Sequence, residues 1–317
     1  PRGLAFNNDG TKMFVVGDTG NDINEYTLTT PFDVSTSIFR DINGDGTGFD
    51  VSAQDTVPQF IKFNNDGTKM FVIGNTGADI NAYTLSTGFD LSTATFNDIN
   101  GDGTGFDVSD QDEATRGIAF NNDGTIMYFI GNTGDDINLY TLSTGFDLST
   151  ATFNDINGDG SGFDVSDQDE ATRGIAFNND GTIMYFIGNT GDDINLYTLS
   201  TGFDLSTATF NDINGDGSGF DISGQETVPR GLTFNNDGTK MFVVGDNGND
   251  INEYTLSVGF DLTSTVTHVG SFDISSQETN PQGIAFNTTG TKMFIVGNAG
   301  NDINEYTLSC AFKVTSS

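Results

Sequence analysis

The sequence predicts an all-β fold built from six copies of one unit, and three observations carry that prediction. The block Phe-Asn-Asn-Asp-Gly begins at Phe6, Phe63, Phe120, Phe177 and Phe234, and a variant, Phe-Asn-Thr-Thr-Gly, begins at Phe286, giving spacings of 57, 57, 57, 57 and 52 residues. Each unit breaks into short apolar runs separated by Gly/Asn/Asp turn chemistry. No stretch sustains the 3.6-residue periodicity of a helix. Four short strands per unit, six times over, match a six-bladed β-propeller. A linear β-solenoid is the plainer alternative, but its coils are shorter and rarely carry three hairpin turns each.

The elements follow in order within each unit. The first strand is a run such as Gly117-Ile118-Ala119-Phe120. The Asn121-Asn122-Asp123-Gly124 hairpin follows, where Gly supplies positive φ. The second strand, as in Lys12-Met13-Phe14-Val15-Val16, is apolar without alternation, the pattern of a strand covered on both faces. Asp22-Ile23-Asn24-Glu25-Tyr26-Thr27-Leu28 is the third. The remainder, as in Thr93-Ala94-Thr95-Phe96 and Phe106-Asp107-Val108-Ser109, offers a fourth, outer strand. Residues 105–164 recur letter for letter at 162–221, the mark of tandem duplication.

Composition bounds the function. The formal net charge of −34 disfavours a nucleic-acid backbone, whose phosphates need Lys and Arg, and equally an anionic membrane surface. With 35% hydrophobic and 11% aromatic residues there is material for a packed core, which a disordered acidic tail lacks. The single Cys310 can form no disulfide within the chain.

The run from Pro1 to Gly17, with its Pro-x-Gly start, Asn8-Asp9-Gly10-Thr11 hairpin and Met13-Phe14-Val15-Val16 strand, continued by Asn21-Asp22-Ile23-Asn24-Glu25-Tyr26-Thr27-Leu28, resembles the YVTN-type β-propeller repeat. The likeness covers all six units and implies the fold, not the function, because such propellers serve as surface proteins, binding modules and enzymes. A single domain over residues 1–317 is expected, in units of about 1–57, 58–114, 115–171, 172–228, 229–280 and 281–317. Six inner strand triplets meet only five outer connectors, so the chain reads as a piece of a longer one, and part of a seven-bladed ring is the alternative.

Four connectors carry Asp-Ile-Asn-Gly-Asp-Gly-(Thr/Ser)-Gly-Phe-Asp. The candidate calcium ligands are Asp41, Asn43, Asp45 and Asp50; Asp98, Asn100, Asp102 and Asp107; Asp155, Asn157, Asp159 and Asp164; and Asp212, Asn214, Asp216 and Asp221. Oxygen side chains at positions 1, 3 and 5 with Gly at 6 reproduce the opening of an EF-hand loop, where alternate oxygens converge on a hard cation. They also resemble the Asp-x-Asn-x-Asp-Gly loops of FG-GAP propellers. There the closing Asp stands at position 9, here at 10, and the EF-hand's Glu at 12 is Ser here. Up to four Ca²⁺ of weak, extracellular-type affinity are expected; a solvated Asn-Gly turn is the bland alternative.

Arg2, Arg116, Arg173 and Arg230 share one register position with Gln59 and Gln282, and could ring one mouth of the channel to clamp a carboxylate or phosphate. Pairing with nearby acids such as Asp110, Asp112 and Glu113 is the alternative. His268 reads as a surface residue, Cys310 as an inert thiol, and the repeated Phe residues as packing groups. Phe60, Lys62, Arg40 and His268 are the irregularities that an asymmetric active site would need.

The reading favoured on these grounds is a non-catalytic extracellular module. It would be a surface, adhesive or fibre component stabilised by calcium at a cell or virion surface, with a protein or glycan ligand or neighbouring subunits as partners. A calcium-dependent propeller hydrolase, lactonase-like or phytase-like, is the alternative, and a spacer without ligand a third.

Overall fold

The chain is an all-β, six-bladed β-propeller: six small sheets follow one another along the sequence, and the helical content of the described residues is four single-turn 3-10 segments. The structure, a computed structural model, describes residues 1–317 apart from Asp18, Asn132, Ala171, Asn189, Ser316 and Ser317. Two compact units divide it. Residues 1–134 with 138–155 carry blades 1 and 2 and most of blade 3, and residues 135–137 with 156–317 carry the rest.

Blade 2 shows the plan. Pro58–Phe63, Lys69–Gly74 and Asp79–Leu85 form an antiparallel meander. The first hairpin closes through Asp66, whose carboxylate accepts the Thr68 N–H and hydroxyl at 3.0 and 2.6 Å. Gly67, at φ +72°, lies under the ring of Phe89, 2.2 Å from where a Cβ would stand, so only glycine fits. Phe89 has positive φ itself (58°) and donates its N–H to the Gly67 carbonyl at 3.0 Å.

The second strand has no polar face because it has two apolar neighbours. Met70 and Val72 pack with Phe14, Ile61 and Tyr83 on the blade 1 side, while Phe71 and Ile73 pack with Ile118, Met127 and Phe129 on the blade 3 side. Burying each such side chain stabilises the fold by about 1.5–3 kcal/mol. The other unit repeats this: Ile187 with Met241 and Val243, then Phe242 and Val244 with Met293 and Ile295.

The expected single outer strand is two pieces in blades 1 to 4. In blade 2, Ala94–Phe96 pairs with Tyr83–Leu85, whereas Phe106–Asp107 pairs with the opposite end of the same strand, Asp79 and Ile80. The acidic connector bulges between them. Blade 5 lacks the insert, and its outer strand Val266–Asp273 runs unbroken with one irregularity. Blade 6 carries three strands, Pro281–Phe286, Lys292–Gly297 and Ile303–Thr307.

Candidate functional site

The acidic connectors fold on themselves. Asp98 accepts the Gly101 N–H at 2.7 Å, Asn100 donates to the Gly105 carbonyl at 3.2 Å, and Asp102 holds the Thr104 N–H and hydroxyl. Asp107 accepts the Ser109 N–H. Among the described residues no three acidic, His or Cys side chains converge as a metal cluster. Under the loop, however, the buried Asn81 Oδ1 has no hydrogen-bond donor, and neither has Asn195 Oδ1. In blade 5, where no insert interrupts the strand, the equivalent Asn252 Oδ1 is within 2.6 Å of the Ser271 hydroxyl and 3.2 Å of His268 Nε2. Where the insert interrupts the strand in blades 2 and 4, a buried amide oxygen is thus left without a donor among the described residues.

Other buried carboxylates brace the same blades at the entry to the first strand. Asp112 accepts from Ala114, Thr133 and Gly134 N–H groups and from the Thr133 hydroxyl, tying the entry of the first strand to the turn after the second. Glu226 does the same with Val228 and Asn247, and burial raises its pKa. Asp112, one of the acids expected to pair with the arginines, is thus spent on backbone. Arg230 instead forms its ion pair with Asp246, just past the second strand of its own blade. Arg2, Arg116 and Arg173 are also engaged in polar or electrostatic contacts.

The irregular residues fall in different places. Phe60 packs on the blade 2–3 core. Lys62 is exposed, and desolvation by the protein around it pulls its ammonium below the ordinary lysine value. His268 is exposed and stacks on Tyr254 at 5.1 Å.

Arg40 belongs to a network at the blade 1–2 seam. The Glu25 Oε1 accepts Lys12 Nζ and Arg40 Nη1, both at 2.8 Å, and its Oε2 accepts the Leu91 N–H at 3.0 Å. Arg40 reaches on to Asp90 at 2.6 Å and to the Ser92 hydroxyl at 3.0 Å, while Lys12 also donates to the Phe89 carbonyl at 2.6 Å. The blade 5–6 seam repeats half of this: Lys240 to Glu253 and the Phe312 carbonyl, and Glu253 to the Val314 N–H. At the blade 4–5 seam an apolar pair, Ile183 and Leu196, stands in place of Lys and Glu, and the Tyr185 hydroxyl donates to the Phe260 carbonyl.

The blade 2–3 seam breaks the rule. Lys69 keeps the lysine, but the Glu position is Ala82 and the Arg40 position is Asn97. Lys69 Nζ turns to Thr84 Oγ1 at 2.9 Å, Thr84 bonds Asn97, and among the described residues no donor reaches the Phe146 carbonyl. A cavity of about 310 Å³ opens here, lined by Lys69, Thr84, Asn97 and Asp98 of blade 2 and by Asp147 and Leu148 of blade 3, among others. The Leu148 N–H, equivalent to the Leu91 N–H that holds Glu25, has no acceptor among the described residues. Ala82 escaped the sequence reading, although the signal was there. Aligned third strands give Glu25, Ala82, Leu139, Leu196, Glu253 and Glu305, and second strands begin Lys12, Lys69, Ile126, Ile183, Lys240 and Lys292. Lys goes with Glu and Ile with Leu, except in blade 2.

The cavity's cation, carboxylates and size suit a small polar ligand. Comparison with known proteins bears on the fold. No protein-family model and no curated protein sequence matches the chain. Solved structures share its fold at low identity. A proposed 6-phosphogluconolactonase from Bacteroides fragilis matches at TM-score 0.60 and 13% identity, over 97% of this chain and 80% of that one. The periplasmic gluconolactonase of Pseudomonas aeruginosa matches at 0.55 and 12%, over 97% and 81%. Regucalcin from Agrobacterium tumefaciens, described as a calcium-binding protein, matches at 0.56 and 11%, over 94% and 82%. These likenesses establish the fold. They also correct the favoured expectation of a non-catalytic surface module: the solved propellers it resembles include ones named as lactonases. No helix is long and apolar enough to cross a membrane among the described residues.

Proposed function

We propose that the chain is a hydrolase of small lactones, working at the blade 2–3 cavity with calcium in the adjoining acidic loop. The observation that carries this reading is the pair of donors left by the missing glutamate, Lys69 Nζ and the Leu148 N–H. They are the equivalents of the two groups that, one seam earlier, hold a carboxylate, and both border the cavity, Lys69 Nζ resting here on Thr84 Oγ1. Hydrolysis turns an ester carbonyl into an oxyanion and then a carboxylate, and donors placed for the product oxygen serve the oxyanion on the way. Asp98, on the cavity wall, takes a proton from water as hydroxide adds to the carbonyl carbon. Collapse then breaks the ring C–O bond, and the ring oxygen leaves with that proton.

Asp98 is also the first residue of the Asp98-Asn100-Asp102 loop. Calcium held there, with Asn81 Oδ1 as the inner oxygen, would fix the loop against the cavity and supply positive charge beside it. A location outside the cytoplasm, where calcium is plentiful, is part of the same reading. The test is turnover of a panel of aldonolactones, with calcium at a few millimolar and with excess chelator. Turnover lost in Lys69→Met and reduced by chelator is expected. Turnover unaffected by Lys69→Met would place the chemistry elsewhere, and an unchanged Tm in chelator would remove calcium from the loops.

A further inference from the structure

We propose that the blade 2–3 cavity is a receptor for a free α-amino acid, whose two charges replace the ion pair that this seam has lost. The protein contains its own template for the ligand. At the blade 1–2 seam the Glu25 carboxylate is held by Lys12 Nζ and the Leu91 N–H, and the Arg40 cation lies against both Glu25 at 2.8 Å and Asp90 at 2.6 Å. A carboxylate and a cation in direct contact, one facing Lys and a main-chain N–H and the other facing Asp, is the charge pattern of an α-amino acid.

Every protein group that holds this pair is retained in blades 2 and 3, and only the pair is gone. Lys69 and the Leu148 N–H stand for Lys12 and Leu91, and Asp147 stands for Asp90. Asp147 Oδ1 accepts the Ser149 N–H and hydroxyl at 3.1 and 2.7 Å, as Asp90 Oδ1 does with Ser92, which orients it in the same way. Ala82 and Asn97 remove one negative and one positive group from the seam, so a zwitterion replaces both lost charges without changing the net charge, whereas a simple anion replaces one and makes the seam more negative. A carboxylate alone would meet Lys69 but leave Asp147 and Asp98 facing it unpaired, at a repulsive cost. The volume of about 310 Å³ leaves room for a side chain beyond the two charged groups.

The proposal needs no turnover and so goes beyond the hydrolase reading, with which it shares the cavity. Should both hold, the preferred substrate is a lactone bearing an α-ammonium group, whose product is a hydroxy α-amino acid.

Calorimetric titration of the whole chain with glycine and L-alanine tests it, with acetate and ethylamine as single-charge controls. One binding event per chain is expected for the amino acids, with acetate and ethylamine weaker by about tenfold or more, the effect of losing one charge-assisted hydrogen bond. Ala82→Glu, which puts back the internal carboxylate, and Lys69→Met, which removes the ammonium, should each abolish binding with the fold retained. Acetate binding as tightly as glycine would overturn the proposal in favour of a plain anion site. Absence of binding by either amino acid, or binding that survives Ala82→Glu, would overturn it outright. Binding without lactone turnover would leave it standing and sink the hydrolase reading alone.

Discussion

The blade 1–2 and blade 2–3 seams are built from equivalent strands, and beside their shared lysine, Lys12 or Lys69, they differ in the two charged side chains of the network. One carries Glu25 and Arg40 and is closed by a continuous network from Lys12 to Asp90. The other carries Ala82 and Asn97 and holds a cavity. A tandem repeat supplies its own control: what one copy does with a position shows what another copy gave up. The closed seam is also an exposed-to-buried gradient, since Glu25 is 0% exposed and Arg40 34%, so that the charge pair is wet on one side only.

The largest effect should come from breaking the closed seam. Glu25→Ala leaves two cations facing each other around a buried gap, and removing one partner of a buried pair costs about 3–5 kcal/mol. Urea unfolding monitored by tyrosine fluorescence would read this; a loss below about 1 kcal/mol would mean the network behaves as a solvated surface pair.

Repairing the open seam is the converse. Ala82→Glu and Asn97→Arg together should stabilise by about 0.5–2 kcal/mol, the usual yield of filling a cavity with compatible groups, and Ala82→Glu alone by less, since its carboxylate also faces Asp147 and Asp98. Adding Asn97→Arg should gain more than the sum of the singles, because the new groups touch. Additive behaviour would show that the two seams are not interchangeable.

A smaller change probes the apolar variant of the same joint. Tyr185→Phe removes the hydroxyl that donates to the Phe260 carbonyl and should cost about 0.5–1.5 kcal/mol. No change in the unfolding midpoint would show that water substitutes for that hydroxyl.

The mildest test uses acid. Burial pushes Asp90 up, but hydrogen bonds from Arg40 and Ser92 outweigh it and hold it below the usual carboxylate value. A depressed folded-state value contributes stability above the unfolded value of about 3.9, and that contribution is lost as pH falls through the folded value. Arg40→Asn should therefore flatten the decline of Tm below about pH 4. An equally steep decline in the variant would remove Asp90 as its source.

Much of this was legible in the letters. The hairpin Gly, the apolar second strand and the repeat length led to the blade plan, because turn chemistry and two-sided burial are local in origin. The split outer strand was not, since Ala94–Phe96 and Phe106–Asp107 read as one interrupted element until their shared partner strand is seen. Arg40 stood out as irregular, but its meaning depends on Asp90, 50 residues away on the next blade. Ala82 was overlooked because an alanine in a strand looks like nothing; it matters only as the absence of a glutamate beside Lys69.

The interrupted outer strands have one more consequence. The outermost strand of each sheet is a free edge, and in a chain whose third and fourth units are nearly identical, that edge could recruit a neighbouring molecule's copy of the same sequence. In blades 1 to 4 a charged bulge sits in the middle of the edge and leaves only three-residue and two-residue stretches for pairing. Among the described residues blade 5 presents the longest outer strand, eight residues with a bulge at Val269, which is 44% exposed. Strand-to-strand aggregation of this protein should begin there, and a lysine at Val269 is the single change that would blunt it.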